Sequence, residues 1–484
     1  MKVAVKASLT ALPQSAHTVS FGAIALKVCA VMALGMFVLA AAWWSDAPYM
    51  ANDSHAYVAF AADMADGHVS KLHLRSPGYP LLLLLTGSTA QPSSALFFTC
   101  LAMHAATILI LAWMLKQISV PNGMIAVLVV VLALPPNLAP ATLVLSEVPA
   151  EFALVVGCAV LLKWFSRHSQ WTAAGSGAAF AIAALIRPTY QILALVTAFT
   201  VIAVNLLLRG ALMDWRRVSR GMAVHLATFV LLVGGYSVWS GLRFGYFGLS
   251  PLMGFNLTTR TVKFVERIPD EHAALREELV AARDASIAGR NGSHTGYQYI
   301  WDPGLLERLH EVTGLDDLGL ARYMQKVQVD LIARSPLSYL SEAAHGFTNY
   351  WLPWVPSESI GGRSFPAQLP DRGRSAPEKS KVLQLLWTLL HFVFIGTFAL
   401  QAIVTSGTGL DATVRRWFGN VQWASPDPAK TVMYWFVMVL IFYTALISSF
   451  IDVGDPRQRW PTDSLILFAT LLGFSEWWRR VRAA

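Results

Sequence analysis

The residues best suited to chemistry lie in a polar stretch that follows the first long apolar segment of the chain. Asp53 and Arg75 are its central acidic and basic residues, and Tyr57 and Tyr79 lie near them in sequence. A carboxylate can take a proton from an attacking hydroxyl group, and a guanidinium can hold a phosphate through two parallel hydrogen bonds. Asp53 is therefore a candidate general base, and Arg75 is a candidate phosphate ligand.

Further charged residues occur where a folded chain could bring them to the same place. Glu147 precedes an apolar run and is a second candidate acid, with Glu151 one helical turn later as its rival. Arg187 lies between two apolar runs, which favours an inward-facing side chain over an anchor at the lipid headgroups. Arg457 and Arg459 are candidate phosphate ligands that could instead pair with acidic neighbours. Those neighbours are Asp452, Asp455 and Asp463.

The composition places these residues in a membrane protein. Of the 484 residues 55% are hydrophobic and 14% are charged, and the mean hydropathy is +0.49. A soluble domain carries roughly 25% charged residues. The net charge of +8 is explained by Lys and Arg in cytoplasmic loops, which orient membrane proteins. We therefore expect membrane lipids, and no nucleic acid, among the partners.

Ten membrane spans are predicted, since a spanning helix needs roughly 20 apolar residues. They lie near residues 23–44, 96–115, 122–138, 148–165, 172–186, 189–208, 221–240, 383–403, 431–450 and 461–478. Lys and Arg are concentrated in the short segments that this arrangement puts in the cytoplasm, which predicts that both termini are cytoplasmic. The predicted fold class is therefore all-α and polytopic.

The chain divides into three predicted parts. Residues 1–240 form an N-terminal membrane module with its first outer loop at 45–95, residues 241–382 form an extracytoplasmic region of helices and loops, and residues 383–484 form C-terminal membrane helices. In the middle part, "PDEHAALREELVAARDASIAG" predicts an exposed amphipathic helix. "DDLGLARYMQKVQVDLIARSPLSYL" predicts a helix, a break at Ser335-Pro336 and a second helix.

Two short helices are predicted in the first outer loop. From Asp53 to Asp66 the apolar residues follow helical spacing, with Tyr57 and Phe60 on one face, which is typical of a helix lying in the membrane interface. Asp53 could also serve as the N-cap of this helix. The run that follows "RSPGYP" is too short to span, so residues 78–87 are predicted to form an interfacial or re-entrant helix. Such irregular backbone is tolerated where it lines a wet cavity.

Four segments in a fixed order carry a family resemblance. They are the acid and "RSPGYPLLLLL" of the first outer loop, "LSEVPAEFALVVGCAVLL" before the fourth span, "ALIRPTYQILAL", and "RQRWPTDSLILF" near the last outer turn. Together they resemble bacterial GT-C membrane glycosyltransferases of the family 39 type, the relatives of protein O-mannosyltransferases and lipid A aminoarabinose transferases. The resemblance covers most of the membrane part and is weak over residues 255–380.

The resemblance implies an inverting hexosyl- or pentosyltransferase in the bacterial cytoplasmic membrane, with its active site facing the outside. The donor would be a polyprenyl-phosphate sugar, the acceptor a lipid, a polysaccharide or a protein, and the catalytic base Asp53. Glu147 is a second catalytic candidate. Tyr57, Tyr79 and Trp460 could line the substrate site, or belong to a belt of interfacial aromatics. The cations that could hold the donor phosphate are Arg75, Arg187, Arg457 and Arg459.

No cofactor is certain from the sequence. Many relatives carry two adjacent acids where this chain has Asp53 followed by Ser54, so the use of a divalent cation is left open. Three histidines lie close in sequence but lack the paired helical spacing of a metal site. They are His55, His68 and His73.

A transporter or flippase of a polar lipid is the alternative function. Transporters tend to show internal repeats and interrupted helices near the membrane midplane. This sequence shows no internal repeat, and its polar residues cluster at the predicted outer boundary instead. The distribution of polar residues therefore favours an enzyme that acts at the interface.

Overall fold

The protein is helical throughout the part of the chain that the computed structural model describes. That part comprises residues 21–43, 48–51, 53–67, 69, 73–207, 214–288, 299–301, 303–352, 388–403 and 428–483. Within these ranges no β-strand forms, and an isolated parallel bridge pairs Tyr49 with Leu143. The predicted all-α class is confirmed for these residues.

The described residues contain eighteen α-helices, and 3₁₀ turns at 139–142, 188–190, 262–267, 270–272 and 299–301 join some of them. The α-helices are α1 (Phe21–Trp43), α2 (Ser54–Ala65), α3 (Gly78–Leu85), α4 (Ser94–Gln117), α5 (Asn122–Ala133), α6 (Pro135–Leu138), α7 (Glu147–Arg167), α8 (Gln170–Ile186), α9 (Leu193–Leu207), α10 (Trp215–Phe244), α11 (Met253–Arg260), α12 (Ala273–Ala288), α13 (Pro303–Thr313), α14 (Asp317–Arg334), α15 (Pro336–Tyr350), α16 (Thr388–Ile403), α17 (Pro428–Ile451) and α18 (Pro456–Ala483).

Helices lie at all ten predicted spans, but they differ in length and apolarity. Six described segments are long and apolar enough to cross a bilayer, namely those containing α1, α4, α7, α9, α10 and α17. A seventh would be α5 with the segment Pro136–Thr142, which is bent against it by 66°. Apolar helices α8 and α16 are shorter. The chain is thus a multi-pass membrane protein, while the count of ten spans and the cytoplasmic termini stay predictions.

Two hydrophobic cores hold the molecule together. In the first, α7 packs against α4, α8 and α18, and α17 packs against α9 and α18. The second joins α11, α12, α13 and α14, and α15 connects it to α17. The helices predicted in the middle part of the sequence are confirmed as α12, α14 and α15, with the break at Ser335.

The start of α2 is fixed to the start of α7. The backbone N–H of Tyr49 donates to the Thr142 carbonyl at 2.8 Å, and the Val144 N–H donates to the Tyr49 carbonyl at 3.0 Å. The Ser54 hydroxyl accepts from the Ala51 N–H at 2.8 Å and donates to the Val144 carbonyl at 2.7 Å. These bonds bring residue 53 next to residue 147 although the two lie far apart in sequence.

The segment before α3 is fixed to the end of α8. The Ser76 hydroxyl donates to the Ile186 carbonyl at 3.0 Å. At Gly78 the backbones touch, since a Cβ there would lie 2.7 Å from the carbonyl carbon of Leu185. Glycine is needed for this close approach, which carries Arg75 to the side of Arg187.

The turn between α17 and α18 also depends on a glycine. Gly454 has a φ of +65°, and a Cβ at this position would lie 2.1 Å from the Gly346 carbonyl oxygen. Its N–H donates to the Ser448 carbonyl at 3.1 Å. The Asp455 carboxylate then accepts from the backbone N–H of Arg457 at 2.7 Å, which satisfies a free donor at the helix start.

Replacing Gly78 by alanine is expected to destabilise the protein. The added methyl group must push α3 away from the end of α8, and such overpacking costs about 1–3 kcal/mol. A lower melting temperature of the purified protein in lipid would show it. Gly123→Ala in α5 is the control, because a Cβ there meets nothing within 4 Å. Equal melting temperatures for the two variants would contradict the close-approach argument.

Candidate functional site

Asp53 forms the centre of a cluster of charged side chains. Arg75 donates from Nη2 to its Oδ1 at 2.7 Å, and Arg457 donates from Nη2 to its Oδ2 at 2.5 Å. Asp53 is the N-cap residue of α2, but its carboxylate makes no capping hydrogen bond to the backbone. The side chain is therefore directed to the two guanidiniums and away from its own helix.

Glu147 provides the second carboxylate of this cluster. It is the first residue of α7, and its side chain is only 3% exposed. Its Oε1 lies 3.0 Å from Nη1 of Arg187 and 3.3 Å from Nε of Arg457. Arg457 thus bridges Asp53 and Glu147. The other carboxylate oxygen, Oε2, is buried without a hydrogen-bond partner among the described residues.

Ser146 and Tyr57 connect the two halves of the cluster. Nη1 of Arg187 donates to the Ser146 hydroxyl oxygen at 3.3 Å, and that oxygen lies 3.3 Å from the Tyr57 hydroxyl. The Arg75 guanidinium carbon lies 5.1 Å from the centre of the Tyr57 ring, a cation–π distance. Tyr79 packs edge-on against Tyr57 at 4.9 Å. The sequence analysis missed Ser146, whose place before a helix-starting Glu resembles that of an ordinary N-cap.

The cluster joins three guanidiniums to two carboxylates through direct contacts. Two further carboxylates, Asp452 and Asp455, line the same cavity. Burial alone would raise the pKa of Asp53, but the guanidiniums of Arg457 and Arg75 outweigh burial and hold that pKa well below its usual range. Asp53 is consequently ionised at neutral pH.

A cavity of about 1160 Å³ opens at this cluster. The side chains of Asp53, Glu147 and the three arginines form one side of it, and residues of α11, α12 and the turn at 299–301 form the other. Ligand cavities commonly measure roughly 300–1,000 Å³, so this one has room for more than a small metabolite.

A second cavity of about 220 Å³ adjoins the first. The two share Arg75 and Arg187 in their walls, and the smaller one continues between the turn before α9 and helix α17, past Ile192 and Ile447. The charged cluster thus lies between a large, partly polar cavity and a narrow space with apolar residues in its wall.

Asp452 is a carboxylate in the wall of both cavities that forms no ion pair in the described part of the chain. Its Oδ1 accepts from the Val453 N–H at 2.7 Å, and its Oδ2 accepts from the Gln458 side-chain amide. Burial raises the pKa of Asp452 above its usual value. A carboxyl of this kind could also exchange protons with a bound substrate.

Three of the sequence candidates lie away from the charged cluster. Arg459 pairs through Nε with Asp463 at 2.7 Å and donates from Nη1 to two backbone carbonyls. Its contacts are therefore those of the local ion pair that the sequence left open as an alternative to a phosphate ligand. Glu151 lies one turn along α7 and contacts His104 at 3.3 Å. Trp460 is buried and lines neither cavity. Tyr79 contacts Tyr57 but is fully buried and lines neither cavity. We therefore leave Arg459, Trp460 and Tyr79 out of the site proposed below.

The sequence analysis also left open whether the protein binds a divalent cation. Across the ranges given above, no three His, Cys, Asp or Glu side chains lie close enough together to hold a metal ion. His55 lines the large cavity, and His73 lies 2.7 Å from Asp63. His68 lies outside the described residues. The oxygens of Asp53 engage guanidiniums instead, so the residues present do not fit a divalent cation.

Comparisons with known proteins show a likeness of fold. No family model and no curated protein matches the sequence. The structure resembles the Archaeoglobus fulgidus oligosaccharyltransferase tethered to an acceptor peptide, with a TM-score of 0.50, 11% identity, and coverage of 96% of this chain and 50% of that one. The same archaeal enzyme, AglB, in complex with an inhibitory peptide and a dolichol-phosphate gives a TM-score of 0.48, 11% identity, and coverage of 96% and 51%.

The likeness covers only part of the matched structures. The chain spans about half the length of the structures that it matches. At 11% identity the likeness concerns the fold alone. Membership of the bacterial family 39 stays a prediction.

Proposed function

We propose that this chain is an integral-membrane glycosyltransferase. It moves a hexose or pentose from a polyprenyl-phosphate donor to an acceptor at the outer face of the bacterial cytoplasmic membrane. The observation that carries the proposal is the pair of carboxylates, Asp53 and Glu147, joined by Arg457 in the wall of a large cavity. Arg75 and Arg187 add two further cations, and the fold likeness to a glycosyltransferase supports the same activity.

The three guanidiniums at one side of the cavity suit a donor phosphate. Arg75 and Arg457 present planar guanidiniums, which recognise phosphate bidentately. When the phosphate accepts their hydrogen bonds, Asp53 loses the contacts that hold its pKa low. Its carboxylate then becomes a stronger base as the donor binds. Donor binding and base activation are thus linked through the same two arginines.

The reaction follows as a single displacement. The acceptor hydroxyl oxygen attacks the anomeric carbon from the side opposite to the phosphate, and a new carbon–oxygen bond forms. The bond between the anomeric carbon and the phosphate oxygen breaks, and its electron pair leaves with the phosphate. Asp53 takes the proton of the hydroxyl group, the guanidiniums stabilise the departing phosphate, and the configuration at the anomeric carbon inverts.

Glu147 supports this chemistry by position. Its buried carboxylate contacts Arg187 and Arg457 together, so it sets the spacing of two phosphate ligands and offsets part of their charge. Tyr57 orients the third ligand through its ring. The residues of the proposed site are therefore Asp53, Tyr57, Arg75, Glu147, Arg187 and Arg457.

The test uses purified protein in lipid, with a panel of polyprenyl-phosphate sugars and with lipid, polysaccharide and peptide acceptors. We expect transfer of the sugar from at least one donor, with release of polyprenyl phosphate. Movement of a polar lipid across the bilayer without any transfer would contradict the proposal and favour the transporter. A reporter fused at residue 300 checks the orientation, because a cytoplasmic signal would contradict an outward-facing site.

A further inference from the structure

The large cavity is electrically asymmetric. Facing the charged cluster is a wall formed by the cavity-lining residues between Leu252 and Leu306, here called the neutral wall. Among the described residues, none of those that line the cavity from this wall carries a charge. The phosphate-binding role proposed above uses only the opposite side. The neutral wall therefore requires a ligand group of its own.

The neutral wall presents a flat aromatic surface. The Trp301 ring is 45% exposed and lies 5.9 Å from the Phe255 ring, with 34° between their planes. Phe255 is buried in the core of the α11–α14 helices and holds its neighbour in place. A half-exposed indole on a fixed support is an apolar platform with a hydrogen-bond donor at its edge.

Small and polar groups surround this platform. Ala282, Ala285 and Ser286 lie on one face of α12, where they leave space beside the rings. The Tyr299 hydroxyl is buried without a hydrogen-bond partner in the described ranges. Asn256, on α11, adds an amide that can both donate and accept.

We propose that the neutral wall binds an uncharged sugar ring, an inference that rests on the glycosyltransferase function proposed above. The carbon–hydrogen face of a sugar stacks on Trp301, and its hydroxyl groups pair with neutral donors and acceptors such as those of Asn256 and Ser286. A peptide is disfavoured, because the described residues of the wall offer no charge to hold charged side chains. The ring belongs either to a glycan acceptor or to the donor's own sugar.

Binding can be measured without transfer. Saturation-transfer NMR on the full chain in lipid nanodiscs, with maltose, cellobiose and mannobiose as probes, is expected to detect at least one sugar. Trp301→Ala should weaken it about tenfold, within the range of aromatic contacts, and Trp301→Phe should restore most of the affinity. Ala285→Trp should block binding by filling the space. Trp171→Ala is the control, since Trp171 is 88% exposed and lines neither cavity.

Transfer kinetics then assign the source of the sugar. A rise in the acceptor KM for Trp301→Ala, with the donor KM unchanged, identifies a glycan acceptor, and the reverse pattern identifies the donor sugar. Failure of all three probes to bind, or equal binding to wild type and Trp301→Ala, overturns the proposal. Sugar binding that depends on Trp301 in a protein that transfers nothing contradicts the glycosyltransferase function and leaves the neutral wall as a sugar site.

Discussion

Replacing Asp53 by asparagine is expected to reduce sugar transfer at least about 100-fold, the usual contribution of a general base. Asparagine keeps the shape of the side chain but cannot take the proton of the acceptor hydroxyl. It also releases Arg75 and Arg457 from a carboxylate, so the donor phosphate meets no competitor. We therefore expect kcat to fall while the donor binds as tightly as before or more tightly. Steady-state kinetics and donor titration measure the two quantities separately.

Loss of folding must be distinguished from loss of chemistry. Asp463→Asn is the matched control, because it removes the carboxylate partner of Arg459, which lies outside the cavity. The control is expected to keep its kcat even if its melting temperature falls. An Asp53→Asn protein that melts like wild type and transfers at the wild-type rate would remove Asp53 as the base. Asp452→Asn should then be inactive if the second cavity carboxylate takes that role.

The depressed pKa of Asp53 also determines over which pH range its carboxylate stabilises the fold. A carboxylate whose pKa is lower in the folded than in the unfolded state stabilises the fold above its unfolded pKa of about 3.9. That contribution is lost only as the pH falls through the folded value. The carboxylate of the donor-free protein therefore stays ionised across the neutral range. In the proposed mechanism, it becomes a competent base when the phosphate has taken its arginine partners.

Much of the fold follows from hydropathy and helix signals in the sequence. The ten predicted spans all coincide with helices, and the first outer loop contains the two short helices, α2 and α3, that its spacing and prolines predict. Gly67 ends the first of these stretches with a φ of +69°, as a residue free of a Cβ can. These features are local, so a window of sequence contains the information that determines them.

Contacts between distant segments are a different matter. Asp53 and Arg457 are 404 residues apart, and their pairing depends on the backbone bonds of Tyr49 and on the turn at Gly454. No local pattern encodes such a pairing. The neutral wall was missed for the same reason, although "YIW" at 299–301 is an aromatic run in a polar region that could have indicated it.

The choice between neighbouring candidates depends on helix rotation. At about 100° per residue, Arg457 and Arg459 point to nearly opposite sides of α18. One faces the cavity and the other is buried against the carbonyls of Tyr350 and Leu352. The sequence places both at one helix end and cannot fix the rotation. Glu147 and Glu151 share a face of α7 but lie one helical turn apart along its axis. Glu151 therefore contacts His104 and not the arginines.

The two arginines of α18 provide the second large prediction. Arg457→Lys is expected to lower kcat roughly 100-fold, comparable to the loss of one donor from a site that stabilises developing negative charge. Lysine keeps the positive charge but has no planar fork. It therefore cannot reach Asp53 and Glu147 at once as Arg457 does through Nη2 and Nε. Donor binding should weaken as well, since bidentate contact with the phosphate is lost.

Arg459→Lys is the matched change two residues along the same helix. Arg459 is fully buried and joins Asp463 to backbone carbonyls, so its replacement should lower the melting temperature and leave the kcat of the folded fraction near the wild-type value. Both variants keep the positive charge and differ only in its position along α18. A comparison of their kcat values therefore tests the effect of position. A kcat for Arg457→Lys near the wild-type value would show that the cation acts through its charge alone and that the bridge between the two carboxylates is not needed for transfer. A kcat for Arg459→Lys as low as that of Arg457→Lys, at an unchanged melting temperature, would contradict the assignment of Arg457, and not Arg459, to the site.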